Sequence, residues 1–294
     1  MTHFEQISEL FPLVSYEEDR KTNGHIVFIQ ETERRTLTPG VTYTKSLYRR
    51  GNGEEVWVYI TKIAPDAQAR PIVSACPKYT AKLVINHAID SKENVLYAMN
   101  ASYFHFFNNG DLTPYGIQIT KGKVHSEPGK DKPQFSTNFF GITKEGKPII
   151  SNADEYYDHL EGNLEYAVGG GLILIRNGNI TLHKDTSIAP RTAVAIAKEG
   201  TVIFLCADGR SKISAGLSFG DLIDIFLHLG YDIQDLLNLD GGGSTTVVLR
   251  DEDGNFSVHN VPSGPPTPDQ PAIEPYGDEQ ARPVADAILI ISNR

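Results

Sequence analysis

Short apolar runs separated by glycine, proline and asparagine dominate the chain, and few segments repeat at helical spacing. Residues 56–60, 95–99, 193–197 and 201–206 are continuous β-branched, aromatic or small apolar runs of strand length. A shorter β-like run at 25–29 precedes a turn at Thr38-Pro39-Gly40, and a last strand is expected at 288–291. Hairpins are predicted around Lys121-Gly122, around Glu145-Gly146 and at Asn177-Gly178. The strongest helix covers 218–230. Ser218 caps it, Asp221 sits in the first turn, and Phe219, Leu222, Ile223 and Phe226 share one face before Gly230 stops it. Residues 79–90 read as a mostly buried helix, with His87 a surface or satisfied core histidine rather than a catalytic one, and 153–161 as a short helical segment. The pattern predicts an α+β fold: a single domain with a mixed β-sheet core, a few flanking helices, and a cleft at strand ends. No fixed-period repeat and no interdomain linker appear. Residues 1–37 are expected as an N-terminal extension packed on a domain of residues 38–294.

Composition changes this picture only at the margins. The net charge of −10 argues against a nucleic-acid partner, because phosphate-backbone binding relies on clustered Lys and Arg. Arg34-Arg35 and Arg49-Arg50 are isolated pairs, expected to be solvated. Cys76 and Cys206 sit beside apolar residues with no ligand-spaced partner, which predicts buried free thiols. The first residues lack the basic and apolar regions of a secretion signal, and no run approaches the roughly 20 apolar residues of a membrane span. A soluble protein without a membrane partner is expected, either cytoplasmic or released by a non-signal route, for example phage-associated. Self-association stays open. Residues 261–276 are proline-rich and read as a long loop, a lid or a specificity insertion.

Candidate chemistry concentrates in one stretch. Leu236, Leu237 and Leu239 lead to Asp240, and Gly241-Gly242-Gly243 and Ser244-Thr245-Thr246 follow before a second apolar run. Consecutive glycines can turn backbone N–H groups inward to form an anion nest, and Asp240 beside it can act as acid, base or hydroxyl acceptor. The competing reading is a plain Asp-Gly hairpin, which gains nothing from a third glycine. Asn100, at the end of an apolar run, is placed like a side chain that binds sugar or phosphate, or like an Asx-turn. Arg191, between Pro190 and a strand, suits bidentate anion recognition or a surface ion pair. Asp208 and Arg210 could be a catalytic acid and a phosphate clamp, or a turn with its own ion pair. A second triple glycine, Gly169-Gly170-Gly171, opens onto a strand.

Taken in series, Asn100-Ala101-Ser102-Tyr103-Phe104, Gly169-Gly170-Gly171, Pro190-Arg191-Thr192-Ala193, Asp208-Gly209-Arg210, Asp240-Gly241-Gly242-Gly243-Ser244 and Arg282-Pro283-Val284-Ala285-Asp286-Ala287 resemble the phosphodiester glycosidase family over roughly residues 38–292. The resemblance implies a hydrolase that cleaves the C1–O bond of a sugar 1-phosphodiester, small or polymeric. On that reading Asp240 is the first choice for nucleophile or base and Asp208 the second. Arg191, Arg210 and the Gly241, Gly242, Gly243 and Ser244 backbone hold phosphate. Asn100 and Arg282 orient substrate, and Tyr103, Gly170, Gly171 and Thr245 belong to the same binding set. No cofactor is assigned, and no metal ligand; a divalent ion shared by Asp208 and Asp240 stays open. The family usually has Gly-Gly where this chain has Ala101-Ser102, and Asn-Arg-Pro-Ser where it has Asn260-Val261-Pro262-Ser263. Both changes leave the sugar and the aglycone open. A phosphodiesterase cutting P–O, in a nucleotide or wall polymer, and a non-catalytic glycan- or phosphate-binding module are the alternatives.

Overall fold

A computed structural model of the chain describes residues 15–77, 80–106, 112–129, 133–181, 187–263 and 281–293. Most of the proline-rich loop and the Asn108-Asn109-Gly110-Asp111 loop lie outside the described residues.

With strands numbered along the chain, the largest sheet has the order β1 (Val27–Thr38), β2 (Val41–Arg49), β3 (Glu55–Ile63), β16 (Val202–Ala207), β15 (Arg191–Ala197), β17 (Ile233–Asn238), β13 (Ile173–Arg176) and β14 (Asn179–Ile180). A second sheet runs β19 (Phe256–Val258), β18 (Val247–Arg250), β5 (Val95–Asn100), β20 (Asp286–Ser292), β4 (Ala69–Ala75). A third runs β11 (Pro148–Asn152), β10 (Asn138–Thr143), β12 (Leu164–Gly170), β8 (Gln118–Thr120), β9 (Lys123–Ser126). A small ribbon pairs β6 (Phe104–Phe106) with β7 (Leu112–Pro114). The expected α+β class with few helices holds, but a single mixed sheet does not. Every strand pairing among the described residues is antiparallel. Hairpin loops join several consecutive strands, such as β1–β2, β2–β3 and β15–β16, whereas parallel pairs need long crossovers.

The middle strands β15 and β16 of the largest sheet are buried on both faces, which explains their continuous apolar runs. Val194, Phe204, Cys206 and Leu237 point into the main core shared with the other two sheets. Ala193, Ala195, Ile203 and Leu205 point the other way, toward helix α5 (Phe219–His228). The alanines let α5 approach closely, and its Phe219, Leu222, Ile223 and Phe226 fill that second core, as their spacing predicts. Ser218 caps α5 with Asp221 in a reciprocal capping box. The other helices are α1 (Tyr16–Asn23), α2 (Val84–Asp90), α3 (Pro133–Ser136) and α4 (Ala153–Glu155), the last continued by a π-turn at Tyr156–Leu160. Among these, α2 is shorter than the 79–90 expected, because Lys82 exchanges backbone hydrogen bonds with Val284 instead of entering the helix. Both cysteines are buried and free. His87 is buried between Ser74 and Cys76, and burial pushes its pKa down to about 4. Arg50 is buried rather than solvated, paired with Asp221 and Glu54.

Candidate active site

Strand β17 and strand β18 belong to different sheets, so Asp240 and its glycines form a bridge between sheets and not the simple hairpin. Register puts Arg191 opposite Ala207 and Ala193 opposite Asn238, which brings the ends of β15, β16 and β17 to one edge. The end of β5 and the start of β20 meet them there, with Asn100 opposite Ala287.

Backbone and side-chain ties lock the bridge. Leu239 donates to Thr192 O at 2.8 Å, Asp240 to Ala101 O at 2.9 Å and Gly242 to Pro190 O at 2.9 Å. Asn100, fully buried, donates Nδ2–H to Asp240 O at 2.6 Å, and its Oδ1 accepts from Thr246 N and Thr192 Oγ1 at 3.1 Å each. Its amide is thus committed to holding the loop. A Cβ on Gly241 would sit 2.5 Å from Pro190 O, so glycine is required there, and at Gly242 a φ of +60° favours it. The amides of Gly242, Ser244 and Thr245 donate to Pro190, Gly241 and Gly242 carbonyls within the chain. The glycines therefore serve close packing first, and the candidate anion-binding charge comes from side chains.

Asp240 is partly exposed at this edge. Burial of its carboxyl pushes the pKa up to about 7, and Asp286 adds to that, while Ser244, Arg282 and the Gly241 amide oppose it. Arg210 sits in left-handed backbone with φ +60°, its guanidinium over Gly242. Desolvation lowers its pKa, as do Arg282 and Arg191, with Asp240 opposing. Neither the Arg210 nor the Arg282 guanidinium has a hydrogen bond or ion pair among the described residues. Arg191 is buried; its Nε donates to Leu217 O at 3.0 Å, one Nη to Ser187 O at 2.6 Å, and its guanidinium carbon lies 4.2 Å from the Phe219 ring centre.

Asp208 lies behind this edge, 2% exposed, and accepts from Tyr59 Oη at 2.7 Å, Asn260 Nδ2 at 3.0 Å and the Val261 amide at 3.1 Å. Burial lifts its pKa to about 6 against those donors. Tyr103 accepts from Asn238 Nδ2 at 2.6 Å and packs on Phe135. Gly170 lies against Leu237, and Gly171 donates to Asn238 O. Thr245 is buried, its carbonyl accepting from Asn260.

Several residues absent from the predicted set complete the assembly. Asp286 is fully buried and accepts from Ser102 N at 2.8 Å, Ser102 Oγ at 2.9 Å and Gln118 Nε2 at 2.8 Å; burial raises its pKa. Asn260 ties Asp208 to Thr245 O and accepts from Val247 N at 2.7 Å. The available signals were the position of Asp286 in the Arg-Pro-Val-Ala-Asp-Ala run and of Asn260 before Val261-Pro262-Ser263. Among the described residues no group of three or more His, Cys, Asp or Glu is arranged to hold a metal ion. A groove of about 350 Å³ lined by Lys147, Arg176, Lys198, Gln234 and Asp235 opens at the opposite end of β15 and β17, away from these groups.

The phosphodiester glycosidase family model matches residues 93–291, which include every predicted site residue from Asn100 to Arg282. The chain belongs to the phosphodiester glycosidase family. Its curated relatives include the N-acetylglucosamine-1-phosphodiester alpha-N-acetylglucosaminidases of Mus musculus, 29% identical over 52% of this chain, and Homo sapiens, 26% identical over 52%. These matches span only 31% and 32% of the relatives' own length. Among solved structures, the catalytic domain of the zebrafish enzyme, auto-inhibited by its pro-peptide, superposes with TM-score 0.63 at 21% identity, covering 92% of this chain and 88% of that one. A hypothetical protein from Synechocystis follows the same fold with TM-score 0.59 at 14% identity, covering 91% and 68%. For a phosphodiester glycosidase, the edge holding Asp240, Arg210 and Arg282 is the natural candidate site.

Proposed function

We propose that the chain hydrolyses the C1–O bond of a sugar 1-phosphodiester, releasing free sugar and a phosphomonoester. The observation that carries this reading is the partly exposed carboxyl of Asp240 sharing one sheet edge with Arg191, Arg210 and Arg282. When C1–O breaks, negative charge grows on phosphate, a weakly basic leaving group. Binding that charge therefore matters more than delivering a proton, and guanidinium groups suit it. A carboxyl near neutrality suits attack at C1 or removal of a proton from water. A pair of flanking acids, as in most glycosidases, finds less support, because Asp208 and Asp286 are closed off by their own donors. Asn100, Thr192 and Asn260 act as positioning residues for the loop.

The curated relatives' names point to N-acetylglucosamine as one sugar of this class. Ser102, whose hydroxyl faces Asp286, and Val261, whose amide faces Asp208, stand at the two departures from the family pattern. The sugar is accordingly left to a screen of glycosyl 1-phosphodiesters and wall polymers. Turnover of an active substrate in ¹⁸O-water tests the reaction. Label in the sugar supports C1–O cleavage; label in phosphate makes the protein a phosphodiesterase, and binding without turnover makes it a recognition module.

A further inference from the structure

Outside the family-matched segment, α1 builds a buried ionic cluster against the start of α5. Arg20 Nη1 donates to Asp221 at 2.8 Å and Asp224 at 2.9 Å, and Nη2 to Asp19 at 2.9 Å and Ser218 Oγ at 2.8 Å. Arg50 Nε reaches Asp221 at 3.1 Å, and Tyr16 donates its hydroxyl to Asp224. Asp19 takes the Gly220 amide at 2.9 Å. A Cβ at Gly220 would lie 2.3 Å from Arg20 Nη2, so only glycine seats α1 here. An apolar contact of similar volume would serve stability as well or better, since burying charges is costly.

The cluster's place in the chain explains why it is charged. Arg20 hydrogen-bonds Ser218, and the residues flanking Ser218 are two of those that hold Arg191, Leu217 through its carbonyl and Phe219 through its ring, beside Ser187 at the other end of the guanidinium. We propose that Arg20 is a positioning residue for Arg191, with α1 a latch that fixes Ser218 and so aims the guanidinium at the phosphate of the substrate. The catalytic consequence rests on the function proposed above; the mechanical link does not.

The test is Arg20→Lys, which keeps a positive charge but cannot reach Ser218 and three carboxylates together. In the full chain, kcat/KM for the phosphodiester substrate should fall about tenfold. In an Arg191→Lys background the same change should cost less than about twofold, because the two residues act as one unit. Independently of any substrate, proton exchange at Arg191 Nε–H, followed by NMR, should speed up at least about tenfold in Arg20→Lys as its bond to Leu217 O loosens. Losses that multiply in the double variant, or unchanged exchange at Arg191, would overturn the proposal. If the wild type shows no hydrolysis, the exchange measurement alone decides the mechanical link. Should Arg20→Lys not fold, Tyr16→Phe takes its place in both measurements, with the same directions expected and the same results overturning it. Arg34→Ala, which breaks an exposed pair with Glu31, is the control and should change neither.

Discussion

Two clusters of arginine and aspartate lie at opposite ends of one short path through Ser218. At the start of α5, Arg20 is surrounded by Asp19, Asp221 and Asp224, and although burial opposes its charge, those carboxylates raise its pKa. At the sheet edge, Arg210 is lowered by desolvation and by Arg282 and Arg191, and Asp240 only partly compensates. One cluster has satisfied its charges internally. The other is a concentration of positive groups whose balance improves when an anion arrives, the condition expected of a site whose counter-charge is the substrate.

The largest effect that would sharpen this contrast is on catalysis. Asp240→Asn should lower kcat/KM by on the order of 10³ or more while the fold survives. Arg210→Ala and Arg282→Ala should each cost on the order of 10²–10³ in kcat/KM. Their unfolding free energies in urea should stay within about 0.5 kcal/mol of the parent, because no described residue hydrogen-bonds or ion-pairs with those guanidinium groups. Arg20→Met should do the reverse to stability, costing about 3–5 kcal/mol in a urea melt by leaving buried carboxylates uncompensated. A stable Arg20→Met protein, or an unstable Arg210→Ala one, would break the comparison.

The smallest effect is on pH. Burial holds Asp240 at about 7 and Asp208 at about 6, above ordinary carboxylates. Between about pH 4 and 7 the folded chain keeps protons that the unfolded chain has released, so stability falls as pH rises through that window. Melting temperature followed from pH 5 to 8 should decline less steeply in Asp240→Asn. The parent's activity should rise through about pH 7, a limb the variant lacks.

Local signals made much of this legible. The cap and spacing of α5, the hairpins and the apolar runs of the central sheet are written in neighbouring residues. The Asp-Gly-Gly-Gly stretch announced a special backbone, but its partners Pro190 and Ala101 are far away in sequence. That β17 and β18 part into separate sheets therefore could not be read from the stretch itself. Arg50 looked solvated because its partner Asp221 lies 171 residues on. Asp286 escaped notice for the same reason: its donors, Ser102 and Gln118, are 184 and 168 residues away. Of the predicted set, Asp240, Arg191, Arg210 and Arg282 converge at one edge, whereas Asn100, Gly170 and Thr245 are built into its support.

The bridge that carries Asp240 crosses from one sheet to another, and this has a consequence for assembly. Its ties to Asn100 and Ala101 close only after segments more than a hundred residues apart have docked, an event that local structure does not hasten. A refolding chain will regain its circular dichroism before its catalytic competence, and the lag between them times the seating of the sheets against each other.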